Sequence, residues 1–247
     1  MASAVAALRA SLTAPEVLRA QELGRDTARL VEAVCRGLAP GLTEDEASAR
    51  VHAAALAVGA RVPVCLVAAD ERIATRRHPL PNGGAMRARA MLAVCVERGG
   101  LVCSATRLVS FEPVGAELRR RHDAVCRVDA TAMRATRPGR ALREIFEEIV
   151  RTYEEVGFGD EWRRHHQGGS TGYQPRDVIA GPTAQARVGQ SQLFAWNPTI
   201  AGTKSEDTVL ATPDGFRCLT TSGTAWPTVS VRFAGVVVER PDILVVS

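Results

Sequence analysis

Apolar and polar positions along the chain fall into the same order twice. From about Pro15 to Arg36, Leu23, Leu30, Val31 and Val34 recur near the period of an amphipathic helix. Pro40-Gly41 then opens a second helical segment, closed by Gly59. The order returns with a helix over Val114 to Ala135 and a segment opened by Pro138-Gly139 and closed by Gly157. Pro40 and Pro138 stand 98 residues apart, as do Gly59 and Gly157, and at that offset Glu46 falls on Glu144, Val51 on Ile149 and Val58 on Val156. Thr43 and Glu46 have capping-box spacing, and Gly59 and Gly157 suit the left-handed residue that ends a helix.

After each helix pair the pattern turns to alternation or to short apolar runs. Arg61 to Ala68 predicts a strand, and Met91 to Glu97 with Leu101 to Phe111 predicts a hairpin around Arg98-Gly99-Gly100. Gln192 to Trp196, Thr208 to Thr212 and Val229 to Glu239 predict three more strands. Two helix-helix-strand halves of similar length imply a duplicated α+β domain with helices outside a curved antiparallel sheet, because each amphipathic helix then covers one apolar sheet face.

Composition narrows the class. With 247 residues, 46% hydrophobic and 23% charged, the chain reads as one large globular domain over 1–247, with 1–14 expected to be a flexible N-terminus. No apolar run approaches the roughly 20 residues of a membrane span, and no charged segment precedes an apolar core at the N-terminus, so a cytoplasmic protein is expected. Cys35, Cys65, Cys95, Cys103, Cys126 and Cys218 are scattered without CxxC pairs, which predicts reduced thiols rather than a zinc cluster or disulfide framework. The net charge of +4 is carried almost wholly by arginine, Lys204 being the only lysine, as coding bias in a GC-rich genome would produce. Arg119, Arg120 and Arg121 lie on a helix with acidic neighbours and form no basic stripe, so no nucleic-acid partner is expected. Gly168-Gly169 is a weak candidate for a phosphate-cradling turn, since no lysine follows.

Near the C-terminus, Ser205-Glu206-Asp207-Thr208-Val209-Leu210-Ala211-Thr212 resembles the closing metal-ligand strand of the M24 metallopeptidases, the pita-bread family of aminopeptidase P, prolidase, methionine aminopeptidase and creatinase. Glu206 matches that strand's ligand glutamate. The resemblance extends from about Pro15 to Thr221 and implies the pita-bread fold without the family's frequent separate N-terminal domain. Active members hold two metal ions with two aspartates, one histidine and two glutamates, hard donors suited to divalent ions. Here the first aspartate position falls on or next to Cys95, and the second on Ser104 or Ala105. His165-His166-Gln167-Gly168-Gly169-Ser170-Thr171-Gly172 meets the family's His-x-x-Gly-His-Gly-x-Gly, so His165 matches the leading histidine and Gly169 the metal-binding one. Arg176-Asp177 meets a His-Glu pair, and Trp196-Asn197-Pro198 puts Asn197 where the Glu-Pro ligand stands. His78, in Arg77-His78-Pro79, matches the family's first active-site histidine.

The resemblance therefore implies His78, His165 and Glu206 as catalytic candidates, Cys95, Asn197, Arg176 and Tyr173 as substrate-binding candidates, and neither metal nor other cofactor. His52, His122 and His166 have settings that suit packed or solvated roles, and Cys95 suits strand packing better than nucleophilic attack. By analogy with creatinase, the expected function is a metal-independent, peptidase-like enzyme acting on a small amino-acid-like or peptide-like compound in bacterial specialised metabolism. Hydrolysis, elimination and cyclisation stay open. The alternative is a non-catalytic pseudo-peptidase serving as a binding or scaffold protein, and a metallopeptidase with displaced ligands ranks last. Many family members are dimers, so a homodimer is a further expectation.

Overall fold

The computed structural model describes residues 9–246. The expected flexible stretch lies for the most part outside them, and Leu12, near its end, is buried and donates its N–H to Ser191 O at 3.0 Å.

The first half begins with helices α1 (Ala14–Arg36) and α2 (Glu44–Ala57). Thr43 caps α2 as its spacing predicts: its Oγ1 accepts from Glu46 N at 3.1 Å while Glu46 Oε2 accepts from Thr43 N at 2.8 Å. Strands β1 (Arg61–Ala69), β2 (Arg89–Arg98) and β3 (Leu101–Ser110) follow, with a single helical turn at Arg72–Thr75. The second half opens with α3 (Ala116–Ala135) and α4 (Leu142–Glu155). Both α2 and α4 have 14 residues and begin 98 positions apart.

The duplication continues into the loops. Gly41 N donates to Met86 O and Gly139 N to Val188 O, each at 2.8 Å, while Glu44 N bonds Gly84 O and Leu142 N bonds Ala186 O. Gly41 and Gly139 sit at φ 93° and 90°, and Gly59 and Gly157 at 68° and 82°, the left-handed region that a side chain resists. Equivalent backbone solutions at equivalent positions mark two copies of one unit.

Beyond α4 come β4 (Gly168–Thr171), β5 (Val178–Ile179), β6 (Leu193–Trp196), β7 (Thr199–Ile200), β8 (Thr203–Lys204), β9 (Asp207–Thr212), β10 (Gly215–Cys218), β11 (Thr228–Phe233), β12 (Val236–Pro241) and β13 (Leu244–Val245). Of the two larger sheets one runs β1-β2-β3-β13 and the other β10-β9-β6-β4-β5, while β7-β8 and β11-β12 form two-stranded sheets. Pairing is antiparallel except that β13 joins β3 in parallel. The single strand predicted over Val229 to Glu239 is instead the hairpin β11–β12, because Gly235 at φ 76° turns the chain between Phe233 and Val236.

Each helix pair buries its apolar stripe on its own sheet. Leu23, Val31 and Val51 pack with Leu92, Val94 and Leu101 in the first half, and Val125, Ile145 and Ile149 with Phe194, Trp196 and Val209 in the second. All six cysteines are free thiols. Among the described residues no helix is long and apolar enough to cross a membrane.

Candidate active site

The two sheets meet where β3 passes the start of β9, and the site forms over that seam. Ser104 N donates to Thr208 Oγ1 at 2.7 Å and Thr106 N to Glu206 O at 3.0 Å. Register pairs Cys95 directly with Ser104, so both side chains share one face of the hairpin, and Ser104 Oγ donates to Cys95 Sγ at 3.2 Å. Thr106, two residues on and therefore on the same face, donates its Oγ1 to Glu206 Oε2 at 2.7 Å.

Glu206 is buried between two cations. Lys204 Nζ stands 2.9 Å from Oε2, and Arg176 Nη2 donates to Oε1 at 2.8 Å. Burial pushes its carboxyl pKa up, but Lys204, Arg176 and the Thr106 hydroxyl outweigh burial and hold it at about 2. Three imidazoles cluster beside this group, of which His78 and His166 share the cavity with Glu206. The His78 and His165 ring centres lie 4.6 Å apart, and those of His165 and His166 4.5 Å. Burial lowers all three pKa values, with Lys204 adding to the shift at His78 and His165 and Arg176 at His166, which puts His165 at about 2 and His166 at about 4. The rings are thus neutral at pH 7. Both ring nitrogens of His165 and Nδ1 of His166 are buried without a hydrogen-bond partner in the protein.

A cavity of about 160 Å³ opens onto these residues. His78, Cys95, Arg176, Asn197 and Glu206 line it, with Val64, Leu66 and Ala93 on its apolar wall. Although 128 residues separate His78 from Glu206 in sequence, they face one space. His165 stands behind His78 and His166 and does not reach the cavity wall.

Three positions differ from the sequence reading. Tyr173, expected to bind substrate, lies away from the cavity: its hydroxyl donates to Glu16 on α1, Arg9 covers its ring, and its edge packs on Gly100. His166, expected to be packed or solvated, lines the cavity, because the extended backbone at His165 turns the pair inward ahead of β4. Lys204 went unremarked as a site residue, yet it lines the cavity and is almost wholly buried. His122 and His52 keep ordinary roles: His122 bonds Thr203 Oγ1 and Pro241 O, and His52 is exposed on α2.

The remaining ligand positions carry neither a carboxylate nor an imidazole. A Cβ at Gly169 would lie 2.0 Å from Val178 O and 3.0 Å from Ala180 N, so this backbone leaves no room for a histidine there. Asn197 lines the cavity with an unpartnered Oδ1. Burial and then Glu206 push the Cys95 thiol pKa up, away from the thiolate that attack or ligation requires.

The sequence profile of metallopeptidase family M24 matches residues 19–213. The chain belongs to that family. Among solved structures it is similar to prolidase from Pyrococcus furiosus, with 18% identity over 90% of this chain and 68% of that one and a TM-score of 0.83. It is similar also to X-Pro aminopeptidase from Thermotoga maritima, with 17% identity over 99% and 67% and a TM-score of 0.84. Xaa-Pro dipeptidase from Bacillus anthracis matches with 17% identity over 98% and 66% and a TM-score of 0.82. At these identities the likeness shows the pita-bread fold, and the chain spans about two thirds of the length of these relatives. No curated protein matches the chain.

The family name implies metal, and the residues here do not fit a pair of divalent ions. The cavity offers one carboxylate, already ion-paired to an ammonium and a guanidinium, where two dications need several anionic oxygens. His78, His165 and His166 are the one group among the described residues whose ligand atoms gather, within 4.8 Å of one another. His166 stacks on His165 at 21° and on His78 at 26°, and His78 and His165 are tilted by 35°, whereas ligands of one ion aim their lone pairs at a common point.

Proposed function

We propose that this M24 chain is a metal-independent, peptidase-like enzyme of the bacterial cytoplasm that acts on a small amino-acid-like or peptide-like compound in specialised metabolism. The observation that carries the reading is the pairing of Glu206 with Lys204 and Arg176 in a cavity walled by His78. Fixed cations there satisfy the carboxylate that metal would otherwise bind. His78, kept neutral by burial, takes a proton from the substrate or its water and returns it to the leaving group. Asn197 Oδ1 presents an acceptor to a substrate N–H, and Cys95 and Arg176 shape the polar wall. His165 positions His78 from behind. The cavity is smaller than the roughly 300–1,000 Å³ of sites for drug-sized ligands, which favours a compound of amino-acid size.

Elemental analysis of purified protein tests the reading. We expect no stoichiometric manganese, cobalt or zinc, and no change in activity or melting temperature with chelators. About two ions per chain, or one ion held by the three histidines, would overturn metal independence.

The alternative is a pseudo-peptidase that binds without turnover. It is favoured by the completeness of the Glu206 network, since Thr106, Lys204 and Arg176 together satisfy the carboxylate without any ligand. Against it, neither Trp196 nor Tyr173 fills the cavity, Trp196 being locked in the core by its bond to Thr136.

A further inference from the structure

The chain has 31 basic residues other than histidine, and only Lys204 among them is lysine. That lysine is in the cavity. In a chain that otherwise meets every demand for positive charge with arginine, a buried lysine marks a place where a planar five-donor fork does not serve and a compact ammonium does. Lys204 Nζ has three N–H donors, and the ion pair with Glu206 engages one. Across the same carboxylate, Arg176 Nε is buried without a partner.

The charges do not balance. Two cations face one carboxylate, and the imidazoles beside them are neutral, which leaves one positive charge in a cavity with an aliphatic wall. An uncompensated buried charge is costly, and a monoanion in the cavity removes that cost. We propose that the cavity is a receptor for a small monocarboxylate, its anionic head held between Lys204 and Arg176 and its short aliphatic part against Val64, Leu66 and Ala93. The inference rests on the reading of this cavity as a site for a small amino-acid-like compound and names the group by which that compound is held. A single surplus charge matches a carboxylate rather than a phosphate dianion.

The single lysine also provides the test. Protein grown with ¹³Cε,¹⁵Nζ-lysine carries one labelled side chain, so its resonance reports on Lys204 alone. Metal-free protein is titrated with propionate, isobutyrate and N-acetylglycine, and with propionamide and isobutyramide as neutral isosteres. We expect at least one acid to shift the Lys204 resonance saturably while its amide does not. By calorimetry, that acid should bind about tenfold or more weakly to Lys204→Met and to Arg176→Gln. Lys204→Arg should not restore binding, because the fork cannot occupy the ammonium's place. Failure of every acid to saturate, equal binding of acid and amide, or unchanged affinity in folded Lys204→Met would overturn the proposal. The titration of unsubstituted protein keeps it falsifiable even if both variants misfold. Elemental analysis of the same sample separates this inference from its foundation: two ions per chain removes the reading beneath it, whereas ion-free protein that ignores carboxylates removes the inference alone.

Discussion

Environment separates residues that the sequence leaves alike. His78 and Cys95 both line the cavity, and burial acts on both in favour of the neutral form. For an imidazole the neutral form is the working base, whereas for a thiol it is the inert one. With one identified substrate, His78→Ala should lower turnover by about a hundredfold or more, and Cys95→Ser should change it far less. The reverse order, with an alkylated adduct on Cys95, would establish a thiol nucleophile. Since the His78 pKa lies below the ordinary histidine value and the base is active when unprotonated, kcat/KM should hold its plateau below pH 6.5 before falling. Lys204 was legible by a signal left unused. It stands two residues before Glu206, and on an extended segment that spacing puts both side chains on one face. Tyr173 differs from expectation because its hydroxyl bonds Glu16 on α1, and position in a motif does not say to which side a loop residue points.

At the scale of elements, the helices were legible because their boundaries are written twice, in Pro-Gly and Gly at one offset. The strands around the site were harder. Residues Gly168–Thr171 lack the apolar alternation of a strand, and the reason lies in their neighbours: Gly168 and Gly169 pass so close to Ala195, Trp196 and Val178 that a side chain has no space. Close backbone approach, invisible in one sequence, is what these glycines supply. Gly169→Ala should therefore destabilise the fold by about 1–3 kcal/mol or more, the cost of overpacking a tight site. Gly181→Ala, where a Cβ meets nothing within 4 Å, should stay within about 0.5 kcal/mol of the unsubstituted protein. Equal denaturation midpoints for the two variants would show that β4 relaxes freely. Arg119, Arg120 and Arg121, expected to lie among acidic neighbours, pair with Asp242 and Glu117.

For the whole molecule, imidazoles shielded from solvent to different degrees, from buried His165 and His122 to half-buried His166 and more open His78, set the response to acid. His165, His166, His78 and His122 all have pKa values lowered chiefly by burial. In the unfolded chain each binds a proton near pH 6.5, while in the fold His166 does so only near 4 and His165 near 2. Between those limits the unfolded state holds more protons, so stability rises with pH and is lost on acidification, by about 1.4 kcal/mol per pH unit for each net proton. Asp129 opposes this. Burial raises its pKa from 3.8 to about 6, so between those values the folded state holds the extra proton and gains stability as pH falls. Asp177, whose pKa burial also raises, acts in the same direction, and the two carboxyls are outnumbered by the four histidines. Glu206, held at about 2, adds a further loss only below pH 4.5. Urea denaturation from pH 8 to 4.5 should therefore show a plateau above about pH 7 and a decline beginning near 6.5. His165→Asn should remove about one proton from the slope. Flat stability down to pH 4.5 would mean that the cluster accepts protons in place, and that burial does not keep these rings neutral.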